Sequence, residues 1–210
     1  MAVWTTMTKG TPMTIRATSD RLAPRSAPFF ANHPAVPVVE TGVTRAHGRR
    51  TLAVLRLATG FIFLWAFLDK TFGLGFSTPA ARAWVAGGTP SQGFLLGDGV
   101  VGPLKGFFTA VASPASDILF QLAMLGVGAA VMLGIGLRVS AVVGSVLMVA
   151  MYLAEWPFGA NAASTNPLVD YHIIYTLVLV ALAVLSAGDT WGAGVRWKQL
   201  PAVKRLPWLV

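Results

Sequence analysis

A chain of 210 residues with 55% hydrophobic and 11% charged residues is too apolar for an ordinary soluble domain, in which about a quarter of residues are charged. One membrane domain is the expectation. The absence of cysteine excludes a structural disulfide, a thiolate metal site and a thiol-disulfide relay within the chain, and the net charge of +8 sits mainly in segments flanking the apolar runs, which suits an anionic bilayer surface better than nucleic acid, for which no motif is present.

Residues 1–47 are rich in Pro, Thr, Ser, Ala and Arg and show no helical apolar period, the composition of a disordered tail. No continuous apolar core follows the start of the chain, so a cleaved secretory signal is not expected. The run 51–72, TLAVLRLATGFIFLWAFLDKTF, is long enough, at about 1.5 Å per residue, to cross the roughly 30 Å hydrocarbon core as a helix. Arg56 lies a little inside it, near the end marked by Arg49 and Arg50, and is expected to snorkel to the head groups. The competing placement turns it inward on a stripe with Gly60, Phe63, Phe67 and Lys70.

Residues 73–116 contain ARAWVAGGTPSQGFL and GPLKGFFTAVASP, fragments too short to span and predicted to form short interfacial helices or a re-entrant cap. Asp117 opens a second run at 118–137, whose one strongly polar side chain, Gln121, should bond across helices. A third run at 139–156 follows after a turn at 137–139, and a fourth occupies 169–187. The fold class is therefore an all-α integral membrane protein: a four-transmembrane-helix bundle over residues 48–187, with short interfacial helices after helix 1 and a basic, Trp-flanked tail at 188–210. Arg45, Arg49 and Arg50, Arg138, and the pairs Arg196 with Lys198 and Lys204 with Arg205 fall on one side of four spans, which places both termini in the cytoplasm of a multi-pass cell-membrane protein.

The same four-span arrangement gathers Asp69 and Lys70 from the first helix, Glu155 from the third, and Asp170 and His172 from the fourth at the non-cytoplasmic level, with Trp65, Tyr152, Tyr171 and Tyr175 about a turn away. Trp65 and Asp69, Tyr152 and Glu155, and His172 and Tyr175 share helix faces in pairs. Charges bordering a span mark functional sites. Asp69, Glu155, Asp170 and His172 are the candidate proton-handling residues, and Trp65, Lys70, Tyr152 and Tyr175 the candidate contacts for a quinone cofactor. The competing reading is a salt-bridge network of Asp69, Lys70 and Glu155 inside an ordinary aromatic belt. No metal is expected, because His172 stands alone near a span and Asp170 points elsewhere on a regular helix.

Several of these motifs carry a family resemblance. R-L-x-x-G-x-x-F-L-W-A at 56–66 with Asp69 and Lys70, W-V-A-G-G-T-P-S-Q-G-F-L at 84–95, G-P-L-K at 102–105, L-G-I-G-L-R at 133–138 and N-P-L-V-D-Y-H-I-I-Y at 166–175 together resemble the DoxX/DoxD membrane proteins over about residues 52–185. That resemblance implies a four-helix membrane protein, linked in some members to quinone reduction by thiosulfate and in others to oxidative-stress assemblies. Gln121 departs from the family, since many relatives place a Glu near the start of the second helix, and an amide exchanges no proton at neutral pH.

The functional expectation is a quinone-binding subunit of a membrane oxidoreductase of the thiosulfate:quinone type. With no cysteine, metal motif or dinucleotide fingerprint of its own, the chain would work with a second oxidoreductase subunit or a peripheral redox protein. A homo-oligomer is also compatible. The alternative is a non-catalytic scaffold that recruits redox or detoxifying proteins to the bilayer, and a small-solute transporter is disfavoured by the lack of an inverted repeat.

Overall fold

A computed structural model describes residues 42–158 and 166–210. Its helices are α1 (Gly42–Phe72), α2 (Gln92–Leu95), α3 (Lys105–Val111), α4 (Pro114–Leu133), α5 (Leu137–Glu155), α6 (Tyr171–Val184), α7 (Gly194–Gln199) and α8 (Pro201–Arg205). Single 3₁₀ turns lie at Ala80–Arg82, Trp84–Ala86, Ala187–Asp189 and Pro207–Leu209, and the described residues contain no strand.

Among the described residues three helices are long and apolar enough to cross a membrane: the Arg45–Phe72 part of α1, α4 and α5. At about 1.5 Å per residue the last two span roughly 30 Å each, whereas α6 reaches only about 21 Å. Their apolar composition is explained by what surrounds them. Phe63 of α1, Met124, Val127 and Val131 of α4, Met148 of α5, and Leu179 and Leu182 of α6 form one buried core, while Leu122, Leu177, Val180 and Val184 face outward, as lipid-facing side chains do.

Close approach of the helices depends on small residues. A Cβ on Gly128 would lie 2.5 Å from the Leu64 backbone nitrogen, one on Gly60 would lie 2.7 Å from that of Met132, and one on Gly144 would meet Leu179 at 2.6 Å. These contacts set α1 against α4 and α5 against α6. In lipid, where no hydrophobic force draws helices together, such backbone proximity supplies the packing energy.

The ends of α4 are written in local chemistry. Ser113 caps its start: the Ser113 hydroxyl accepts from the Ser116 N–H at 3.3 Å and the Ser116 hydroxyl accepts from the Ser113 N–H at 3.1 Å, with Pro114 in the first turn where its missing donor costs nothing. At the other end Gly134 adopts φ +73°, and the Ile135 N–H bonds to the Ala130 carbonyl at 3.0 Å. This left-handed glycine cap ends α4 before the anticipated turn at 137–139. The hairpin therefore turns at 134–136, and Leu137, Arg138 and Val139 already belong to α5.

Two other boundaries move. The tail anticipated at 1–47 lies outside the described residues except for 42–47, and these form the first turns of α1, where no proline interrupts the helix. Residues 188–210 are folded rather than trailing. Val203 and Gly194 are buried, the Trp197 indole donates to the Leu209 carbonyl at 3.2 Å, and Arg138 donates to the Pro207 carbonyl at 3.2 Å.

Gly128→Val should overpack the α1–α4 contact and cost about 1–3 kcal/mol. Gly126, where a Cβ would meet nothing within 4 Å, provides the matched control. Thermal unfolding in mild detergent should show a lowered midpoint for Gly128→Val alone; equal midpoints for the two variants would refute this account of the packing.

Candidate functional site

Arg56 is fully buried, so the snorkelling expectation is wrong and the inward placement holds. One guanidinium nitrogen donates to the Val131 carbonyl at 2.8 Å and to that of Met132, and the other donates to the Trp191 carbonyl at 2.9 Å. The last carbonyls of α4 have no partner within their helix and carry the negative end of its dipole. Those bonds outcompete the head groups.

At the opposite end of the bundle the anticipated cluster divides. Asp69 is buried and accepts from the Ser77 hydroxyl at 2.7 Å, the Ser77 N–H at 2.9 Å and the Phe76 N–H at 3.2 Å. It folds the chain back after α1 and is engaged there. Trp65 packs edge-on against Phe76, ring centres 5.1 Å apart. Lys70 points toward α4, its ammonium 5.9 Å from the centre of the Phe120 ring.

Asp170, His172 and Tyr175 come together at the start of α6, with Glu155 within electrostatic reach of Tyr171. One carboxylate oxygen of Asp170 caps the helix by accepting from the His172 N–H at 2.9 Å and the Ile173 N–H at 3.2 Å. The other lies 2.7 Å from His172 Nδ1. Burial pushes the Asp170 carboxyl up, but the bond to the His172 ring and those from the backbone outweigh it and hold the group below the usual aspartate range. The His172 ring is fully buried under that of Tyr171, centres 3.9 Å apart, and its Nε2 has no partner. With Nδ1 donating to Asp170, Nε2 presents a lone pair. Tyr175 sits edge-on between Tyr171 and Phe63, while Tyr152 donates to the Pro167 carbonyl at 2.5 Å.

Asp117, which the sequence marks only as the start of a run, organises the segment before it. It is buried and accepts from the Ser91 N–H at 2.7 Å, the Ser91 hydroxyl at 2.8 Å, the Gln92 N–H at 3.0 Å and the Gln92 amide at 2.5 Å. The anticipated cap over the helix ends is thereby tied to α4. The Val101 N–H also reaches the Ala154 carbonyl at 2.9 Å, and Val100 and Phe108 pack on Ala154. The signal available in sequence was the SPASD stretch, an N-cap with an acid in the first turn, but the partners of the acid lie far away in the chain. Gln121 behaves as expected: its amide donates across helices to the Thr71 hydroxyl at 3.1 Å.

Beneath this roof lies a groove of about 700 Å³ between α4 and α5, lined by Phe94, Phe108, Ala123, Val146, Leu147 and Met151 among others. Lys70, Ser91 and Ser116 are the polar side chains of its wall, and both serines are already hydrogen-bonded. Lys70 thus supplies the available donor. A second, polar chamber of about 360 Å³ adjoins it, sharing Lys70, Pro90 and Phe94 and adding Arg82, Ser77, Thr78 and Thr89. Asp170, His172, Tyr152 and Tyr175 line neither space. No group of three metal-binding side chains occurs among the described residues. Searches among family models, curated proteins and solved structures find no match to the chain.

The Asp170 cap yields a test with a pH signature. Asp170→Ala should loosen the start of α6 by about 1 kcal/mol, the usual cost of replacing a capping aspartate by alanine. Because the folded pKa is depressed, the charge-dependent part of the stabilisation is complete above the unfolded aspartate value of about 3.9 and is lost as pH falls through the folded pKa. Hydrogen exchange at the His172 and Ile173 amides should therefore be faster in the variant at neutral pH, with the difference closing in acid. A pH-independent difference would remove the carboxylate from the account.

Proposed function

We propose that the chain is a quinone-binding membrane subunit of DoxX/DoxD type, working with a second oxidoreductase subunit that carries the electron donor chemistry. The observation that carries the reading is the apolar groove between α4 and α5 with Lys70 on its wall. A quinone needs an apolar slot for its ring and prenyl chain and a donor for a ring oxygen, which the Lys70 ammonium supplies at little cost because it is not otherwise hydrogen-bonded among the described residues. The Asp170–His172 pair is the proton-exchanging group on this reading, Nε2 being its open position, with Glu155 within electrostatic reach of the neighbouring Tyr171.

On the same reading α6 makes a fourth crossing, its shortness accommodated by local thinning of the bilayer, and both termini lie in the cytoplasm. The return of residues 188–210 to the Arg56 end of the bundle supports an even number of crossings. The loop between α5 and α6, at 159–165, lies outside the described residues.

Two measurements check the reading. Ala123→Trp should fill the groove and lower quinone retained by the purified protein about tenfold or more, whereas Leu122→Trp on the exposed face of α4 should not; equal retention would place the quinone elsewhere or nowhere. Tags at both termini should be protected in intact cells, and an accessible C-terminus beside a protected N-terminus would reduce the crossings to three.

A further inference from the structure

The polar chamber has its own chemistry. Lys70 and Arg82 both line it and stand within electrostatic reach of each other, and no carboxylate is among the lining residues. Asp69, the acid within reach of Lys70, already accepts three hydrogen bonds from Ser77 and Phe76. The Ser77 and Thr78 hydroxyls are turned to Asp69, which leaves two like charges in one concavity with Thr89 beside them, a receptor for an anion with several acceptor oxygens.

The surroundings select among anions. Phe72, Leu74, Phe76, Val85 and Leu96, on the segments that bear or flank the chamber's lining residues, are all exposed, and the chamber sits at the end of α1, where lipid head groups lie. A free anion gains nothing from that apolar rim. An anionic amphiphile gains from both parts. We infer that the chamber binds the phosphodiester of an anionic phospholipid, with Lys70 and Arg82 on its oxygens and the acyl chains against the exposed rim, outside the groove between α4 and α5. The site is separate from any quinone in that groove, although Lys70 belongs to both walls.

Native mass spectrometry of the full-length protein, delipidated in neutral detergent and then offered phosphatidylglycerol or phosphatidylcholine, tests the assignment. Phosphatidylglycerol should be retained in preference to phosphatidylcholine. Arg82→Gln and Lys70→Gln should each weaken that retention about tenfold, the usual worth of a charge-assisted hydrogen bond, and Lys198→Gln, whose lysine pairs with Asp189 at the other end of the bundle, should leave it unchanged. Arg82 is exposed, so the variant's unfolding midpoint in phosphatidylcholine should match the parent and separate binding from folding. Equal retention of the two lipids, or undiminished retention in both chamber variants, overturns the proposal. Full displacement of the lipid by millimolar inorganic phosphate overturns it in favour of a free-anion site. Quinone retention, measured without added lipid on the Arg82→Gln protein, whose altered residue lines the chamber and not the groove, answers to the groove and not to this site.

Discussion

The buried guanidinium of Arg56 is the interaction on which the rest of the structure depends. In a bilayer each backbone group left unpaired costs several kcal/mol, because no water is at hand to replace the missing partner. Backbone N–H groups of Ile135, Gly134 and Ala193 take the Ala130, Val131 and Leu133 carbonyls; Arg56 completes the last turn of α4 at Met132, adds a second bond at Val131 and also joins Trp191, so one side chain of α1 fastens α4 and the C-terminal segment together. The glycines around it follow from that geometry. A Cβ on Gly134 would come within 3.0 Å of one guanidinium nitrogen and 2.7 Å of the Gly188 Cα, and a Cβ on Gly192 would come within 3.2 Å of the other nitrogen. The helix end, the following loop and the cation interlock only if these positions carry no side chain.

The carboxylates repeat the device at other sites. Asp69, Asp117 and Asp170 each accept from at least two backbone N–H groups at the start of a helix or loop. An acid near the end of an apolar run looks functional because its cost in lipid demands a reason, and here backbone satisfaction is a sufficient reason for two of the three. Asp170 differs because its second oxygen orders His172 and leaves a buried Nε2 open.

How far the sequence could be read follows the same division. Apolar runs with period and length placed the three long apolar helices α1, α4 and α5 and the end of α1 at Phe72, since a helix in lipid is dictated by its own composition. The roof over 73–116 was legible in outline from its short aromatic and glycine-rich fragments. Its tether was not, because Asp117 is joined to Ser91 and Gln92 by a tertiary contact that no local pattern announces. Arg56 was misplaced for a related reason. Proximity to Arg49 and Arg50 argued for the head groups, while the opposing term, three carbonyls converging from α4 and the C-terminal segment, exists only after the chain has folded. The anticipated cluster likewise rested on helix-end position and on spacing within each helix, which bring residues to one level without turning different helices toward one another; Asp69 and Lys70 leave in different directions.

The position of Lys70 is not explained by packing. Its ring contact with Phe120 is an edge-of-range cation–π interaction, worth about 0.5–1 kcal/mol, too little to hold a charge at the end of a span against the pull of water. What distinguishes the position is that it borders both an apolar groove and a polar chamber, so the ammonium can turn toward either without leaving the wall they share. An anion in the chamber would draw it to one side and a ring oxygen in the groove to the other. Occupancy of the two spaces is therefore linked through a single side chain, and the linkage is reciprocal by thermodynamic necessity: whatever one ligand takes from the affinity of the second, the second takes from the first.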